Sequence, residues 1–153
     1  IGAKVTGLNF IRHGSLQLTR NLSIGGDTIT DRIAQALTLS VPRAEQFKRD
    51  FGLQGTDFLP EAVKPVLNVI KTEVAQIMSI YKSHDVNTDR IVLIGGGAQL
   101  PGIAEYFTSE LSVPTVLGDT LAQVGYDESV KPILSRYSLH LAIAIGLAIR
   151  NES

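Results

Sequence analysis

Residues 90 to 111 read RIVLIGGGAQLPGIAEYFTSEL, and their order decides the fold. An apolar, largely β-branched run, Ile91, Val92, Leu93 and Ile94, meets three consecutive glycines, Gly95, Gly96 and Gly97. The run predicts a strand over 90–94. A helix is expected over 101–111, with Pro101 at or near its first position, where a missing N–H costs nothing. Strand, glycine turn and helix N-terminus together let backbone amides approach an anion or the edge of a nucleotide. Two more glycine turns flank this one, at Gly2-Ala3 and Gly25-Gly26. Three such turns in one small α/β chain suggest a composite nucleotide site.

At 153 residues, 44% of them hydrophobic, the chain has the length of one ordinary domain with a real core. Its 14 basic and 15 acidic residues are interspersed and nearly cancel, which argues against nucleic-acid binding by charge. With no cysteine, disulfides and thiolate metal sites are excluded, and a reducing compartment fits by default. No stretch approaches the roughly 18 apolar residues that span a bilayer. The best candidate, Leu139 to Ile149, is too short and carries His140 next to its start. No signal peptide is visible. The chain opens in mid-pattern at Ile1 without a methionine, so the true N-terminus is expected upstream.

Residues 3–12 and 15–24 are rich in Val, Thr, Leu, Phe and Ile and are broken by His13-Gly14, which predicts an antiparallel hairpin. Gly25-Gly26 then ends the second strand, and Asp27 or Thr28 is expected to cap a helix through about Leu39. Ile29, Ile33, Ala36 and Leu37 share one face of it. A second helix is expected from Pro42 to about Phe51, ended by Gly52. A short loop, Gln54 to Leu59, leads to the longest helix, from Pro60 or Glu61 to about Ser83. Its stripe of Val63, Val66, Leu67, Ile70, Val74, Ile77, Met78 and Tyr81 fits core packing, with a coiled-coil seam as the alternative. Pro65 must sit in its first turn or kink it. Beyond the helix at 101–111, Val113 to Leu117 is expected as a strand and Gly118 to Arg136 as irregular chain. Tyr137 to Arg150 is expected as a closing helix, apolar nearly all round, whose Gly146 and alanines would let it press against a sheet. Two strands, helices, then βαβα with a parallel pair predicts an open α/β sheet covered by helices.

Taken singly, the candidate sites are weak. Gly95 to Gly102 is not the dinucleotide pattern GxGxxG, and it lacks the lysine and hydroxyl of a P-loop. A structural tight turn explains it as well, and a strand-to-helix turn explains Gly25-Gly26. Glu45 and Lys48, three apart on a helix, fit a solvated ion pair. His13, His84 and His140 show no ligand spacing and no catalytic partner, and are read as structural. Neither G-x-S-x-G nor H-E-x-x-H occurs.

In combination, the motifs resemble the C-terminal half of the actin-like ATPase superfamily over nearly the whole chain. Ile1-Gly2-Ala3 with Thr6 resembles the end of the second phosphate motif, D-I-G-A-x-x-T, with its aspartate falling just before Ile1. Ile24-Gly25-Gly26-Asp27 with Ile29 and Thr30 resembles the glycine turn into the next helix. Ala44 to Lys48, AEQFK, resembles the A-E-x-x-K helix that brackets adenine and ribose. Ile94 to Gly102 resembles the adenosine motif, and Ala142 to Arg150 the closing helix. Gly14 to Thr30, together with LPGIAEYF and VPTVLGD, is more similar to the PilM family of type IV pilus assembly proteins than to the FtsA cell-division branch.

The resemblance implies an RNase H-like fold with a mixed sheet and helices on both faces, residues 1–153 forming one half-domain with a small helical insertion at about 40–60. It implies ATP with Mg²⁺ as cofactors, the metal held mainly by residues outside this chain. Gly2, Ala3, Thr6, Gly25 and Gly26 are then expected at the phosphates and ribose. Glu45 and Lys48 are expected to edge the ribose and adenine, while Gly95, Gly96 and Gly97 let the base lie on bare backbone. No catalytic residue and no metal ligand is expected here, and ATP turnover would need an N-terminal half. Lys4 is expected to face solvent. The implied place is the cytoplasmic side of a bacterial inner membrane, with PilN-like partners bound through the other half. Thr120 stands where the superfamily often has proline after Gly118-Asp119. The central strand of the sheet is expected before Ile1, so these residues alone would leave two strand edges unpaired or forced together, and would fold poorly or self-associate. The alternatives are a polymerising FtsA-like ATPase, a sugar-kinase-like phosphotransferase and a truncated nucleotide-binding domain without activity.

Overall fold

The computed structural model describes residues 1–54, 58–122 and 124–149. Strands β1 (Thr6–Arg12) and β2 (Ser15–Leu22) form the expected antiparallel hairpin. His13 and Gly14 turn it with φ of 50° and 75°, the left-handed pair that matches strand twist in a two-residue loop. The register shifts after Phe10, which faces Leu18, whereas Ile11 faces Leu16. The hairpin lies on the long helix: Phe10 stacks on Tyr81 with ring centroids 3.6 Å apart, and Arg20 pairs with Glu73.

Helices α1 (Gly26–Leu37), α2 (Val41–Phe51) and α3 (Phe58–Lys82) follow. Gly25, not Asp27 or Thr28, is the N-cap of α1, because the helix begins where the backbone turns against residues 2 and 3. Thr28 serves instead by accepting the Gly25 N–H on its Oγ1 at 3.4 Å. Helix α3 starts earlier than expected and runs on through Pro65, which lies past its first turn. Part of the loop expected at 54–59, residues 55–57, lies outside the described residues.

Strand β3 (Ile91–Leu93) pairs in parallel with β4 (Thr115–Leu117), in register Val92 to Val116. Between them the glycines coil into a 3-10 turn, Gly96–Gln99, before α4 (Ile103–Leu111). The expected helix start at Pro101 is therefore corrected by two residues. Gly102 caps α4 with φ 84°, a left-handed reversal the chain needs after the 3-10 turn. Pro101 packs instead on Gly52, and its carbonyl accepts the Leu53 N–H at 2.8 Å.

The segment expected to be irregular contains a 3-10 turn, Glu128–Val130, and the start of α5 (Lys131–Ile149). The segments Glu128–Leu134 and Tyr137–Ile149 meet at 107°, so the helix expected from Tyr137 is the second limb. Arg150 lies outside the described residues. Gly146 has no neighbour within 4 Å of an added β-carbon, so α5 does not press on a sheet there. Its anchor is Leu139, which is buried.

The core gathers Ile29 and Ile33 of α1, Ala44 of α2, Val63, Leu67 and Ile70 of α3, and Ile103 and Phe107 of α4. Burying the valine, leucine, isoleucine and phenylalanine side chains contributes about 1.5–3 kcal/mol each, which makes this helical layer the stable base of the site. The sheet itself is divided. Hairpin β1–β2 and pair β3–β4 are separate two-stranded sheets among the described residues.

Candidate functional site

Residues 1 to 3 run through the gap between the two sheets and bind both sides. The N–H of Gly26 donates to the Gly2 carbonyl at 2.9 Å, and that of Asp27 to the Ala3 carbonyl at 2.8 Å. On the opposite side Ile1 N donates to the Ile94 carbonyl at 2.5 Å, and the Gly97 N–H to the Ile1 carbonyl at 2.9 Å. Three glycine turns far apart in sequence thus become one surface, the floor of an open cleft of about 1400 Å³. The apposition excludes side chains: a β-carbon on Gly25 would lie 2.5 Å from the carbonyl oxygens of both Gly2 and Ala3.

Helix α2 supplies the next wall. Lys48, whose side chain is 13% exposed, gives Nζ three acceptors: the Gly26 carbonyl at 3.0 Å, Thr30 Oγ1 at 2.8 Å and Glu45 Oε2 at 2.6 Å. An ammonium has three donors, and all are used. The Thr30 hydroxyl lies 2.5 Å from Glu45 Oε2, and Arg49 Nε is 2.9 Å from Glu45 Oε1. Burial by itself would raise the Glu45 carboxyl, but the hydrogen bonds from Lys48, Thr30 and Arg49 outweigh it and hold it below its ordinary value. The expected solvated ion pair is therefore a partly buried brace between α2 and the first turn of α1.

Of the residues singled out from the sequence, Gly2, Ala3, Gly26, Glu45, Lys48, Gly95, Gly96 and Gly97 line the cleft together. Thr6 and Gly25 do not. Thr6 is 1% exposed, and its Oγ1 donates to the Ile24 carbonyl at 2.8 Å, which ties the start of β1 to the end of β2. The hydroxyl expected beside phosphate is thus engaged with the Ile24 carbonyl and lies outside the cleft lining. Gly25 stands behind the turn as the residue that lets it approach Ala3. Lys4 is exposed, as expected.

The backbone donors are more restricted than the glycine count suggests. The Gly2 N–H donates to the Val5 carbonyl at 2.9 Å and the Gly95 N–H to the Leu139 carbonyl at 3.1 Å. Among the described residues the amides of Ala3 and Gly96 make no such bond. Asp27, Thr30 and His140 also line the cleft and were not picked as site residues. Thr30 was legible as part of the glycine-turn motif. His140 had no local signal, because only the tertiary contact of α5 with the 3-10 turn brings it there. The other histidines lie elsewhere: His13 in the hairpin turn, and His84 with Nδ1 2.9 Å from the Ile80 carbonyl. Among the described residues no group of three or more His, Cys, Asp or Glu side chains is placed to hold a metal ion.

The model of the family described as type IV pilus assembly protein PilM matches residues 1–152. A solved PilM–PilN type IV pilus biogenesis complex superposes with TM-score 0.83 and 28% identity over 98% of this chain and 44% of that one. Ethanolamine utilization protein EutJ of Carboxydothermus hydrogenoformans superposes with TM-score 0.66 over 95% of this chain and 46% of its own, at 22% identity. EutJ of Escherichia coli (strain K12) is 27% identical over 110 residues, covering 72% of this chain and 36% of that protein. The chain thus spans less than half the length of these relatives, and its fold is that of actin-like ATPases.

Proposed function

Because the chain belongs to the family of the type IV pilus assembly protein PilM, we propose that it is the ATP-binding half of an actin-fold scaffold in pilus assembly. The observation that carries this reading is the stitching of three glycine turns by residues 1–3 into one cleft floor. Phosphates would meet the Ala3 amide, with Gly2 and Gly26 offering bare backbone on either side. Glu45 and Lys48 edge the ribose and adenine side, their charges mutually neutralised, and Gly95 to Gly97 border the base. Mg²⁺ would be held mainly by residues outside this chain. Residues 1–153 act as one unit with a helical insertion at about 40–60.

In this reading the nucleotide closes this half against the rest of the protein and changes a partner-binding surface, with slow hydrolysis or none. The partner is a PilN-like inner-membrane protein, bound through the portion this chain does not cover. The existence of a PilM–PilN complex among the solved relatives supports that choice. The protein would sit at the cytoplasmic face of the inner membrane; no single described helix is long and apolar enough to cross it. Calorimetric titration of the full-length protein with ATP and Mg²⁺ tests the reading. Saturable binding supports it, and no binding up to millimolar ATP rejects it.

A further inference from the structure

In the glycine turn that is expected to meet a base, Gly96 already has an aromatic ring against it. A β-carbon on Gly96 would lie 2.7 Å from Nε2 of His140 and 3.0 Å from its Cδ2, so the imidazole rests directly on the turn. Two bonds hold that limb of α5 in place. The Leu139 carbonyl accepts the Gly95 N–H at 3.1 Å, and the Ser138 carbonyl accepts Thr120 Oγ1 at 2.6 Å. The ring of Tyr137 meets that of His140 edge-on, with centroids 6.3 Å apart. Yet His140 is exposed and lines the cleft, as do Tyr137 and Ile143. Residues 137, 140 and 143 are three apart, the spacing of one helix face, and Ile143 is 76% exposed. A flat, aromatic and apolar stripe therefore faces a floor of glycine turns that ends in unengaged amides.

We infer that His140 is the base-contacting residue of this cleft: the nucleotide's base stacks on its imidazole, with Gly96 backing the ring, instead of lying on the glycines. The inference rests on the nucleotide reading above and specifies its base subsite. Stacking needs only a π face, so it favours the larger purines over pyrimidines without selecting between purines. Gly96 has to be glycine in this arrangement, because any side chain there would displace the imidazole.

The test titrates ATP and inorganic tripolyphosphate, each with Mg²⁺, into the full-length protein as wild type, His140→Ala and His140→Phe. Loss of a stacked base should weaken ATP binding by about fivefold or more in His140→Ala. Tripolyphosphate binding should stay unchanged, and His140→Phe should keep ATP binding near wild type. Equal ATP affinity in wild type and His140→Ala overturns the base subsite while leaving the nucleotide site standing. So does an equal loss in both variants, which would mark His140 as a packing residue. A wild type that binds neither ligand removes the nucleotide reading and this inference with it.

Discussion

Gly25 and Ala3 approach so closely that a β-carbon on the first would lie 2.5 Å from the carbonyl oxygen of the second. The contact decides how α1 starts, because the neighbouring Gly26 and Asp27 amides donate to the same short segment. Gly25→Ala must push residues 1–3 away, and overpacking of this kind costs about 1–3 kcal/mol. Gly146→Ala is the internal contrast: it lies in α5 with nothing within 4 Å of its added methyl. Relieving a helical glycine should stabilise by about 0.5–1 kcal/mol. Urea midpoints of the two variants should move in opposite directions, and a shared direction would contradict the geometry.

Lys48 is better understood as a brace than as a free cation. Lys48→Met keeps the aliphatic stem and removes all three donors, taking the ammonium from the Gly26 carbonyl and leaving the Glu45 carboxylate with Arg49 as its cation. The expected loss is about 1–3 kcal/mol in denaturant unfolding. Thr30→Val touches the same network, so the double variant should fall short of the sum of the singles by more than about 0.5 kcal/mol. Strict additivity would show that the brace does not act as a unit.

The same network sets an acid dependence. Glu45 is held below its ordinary value of 4.5, so the folded state prefers its charged form more than the unfolded chain does. The stabilisation is present above that ordinary value and disappears as pH falls through the depressed folded value. Glu45→Gln should therefore be less stable than wild type at neutral pH, with the gap closing on acidification. Thermal unfolding of both proteins across that range reads the gap directly. A gap that stays constant to low pH would mean that the carboxylate's charge contributes nothing.

How much of this was legible depended on whether the cause was local. The strand at 91–93, its glycines, the His13-Gly14 hairpin and the stop at Gly52 follow from β-branched runs and left-handed turns, which a sequence displays. The cleft residues were found because five short motifs occur in a recognisable order. The remainder is set by contacts between distant segments. Nothing near Thr6 announces that its hydroxyl is engaged by Ile24, and nothing near Pro101 says that a 3-10 turn will delay α4 to Ile103. His140 reaches the cleft only because α5 bends and Leu139 docks on Gly95.

The divided sheet has its own consequence. Parallel strands are ordinarily covered on both faces. Here Leu93 and Thr115 are buried, but the register pair Val92 and Val116 is 47% and 45% exposed, with Ile94 and Leu117 also open beside it. Neither β1 nor β3 pairs with a further strand among the described residues, and unpaired edges next to apolar surface promote association. Residues 1–153 expressed alone should therefore show a weight-average mass that rises with concentration in sedimentation equilibrium. Placing lysine on the open face, as Val92→Lys with Val116→Lys, should lower that rise while the buried face keeps the fold. A dilute and a concentrated sample with the same monomeric mass would show that these surfaces do not drive association.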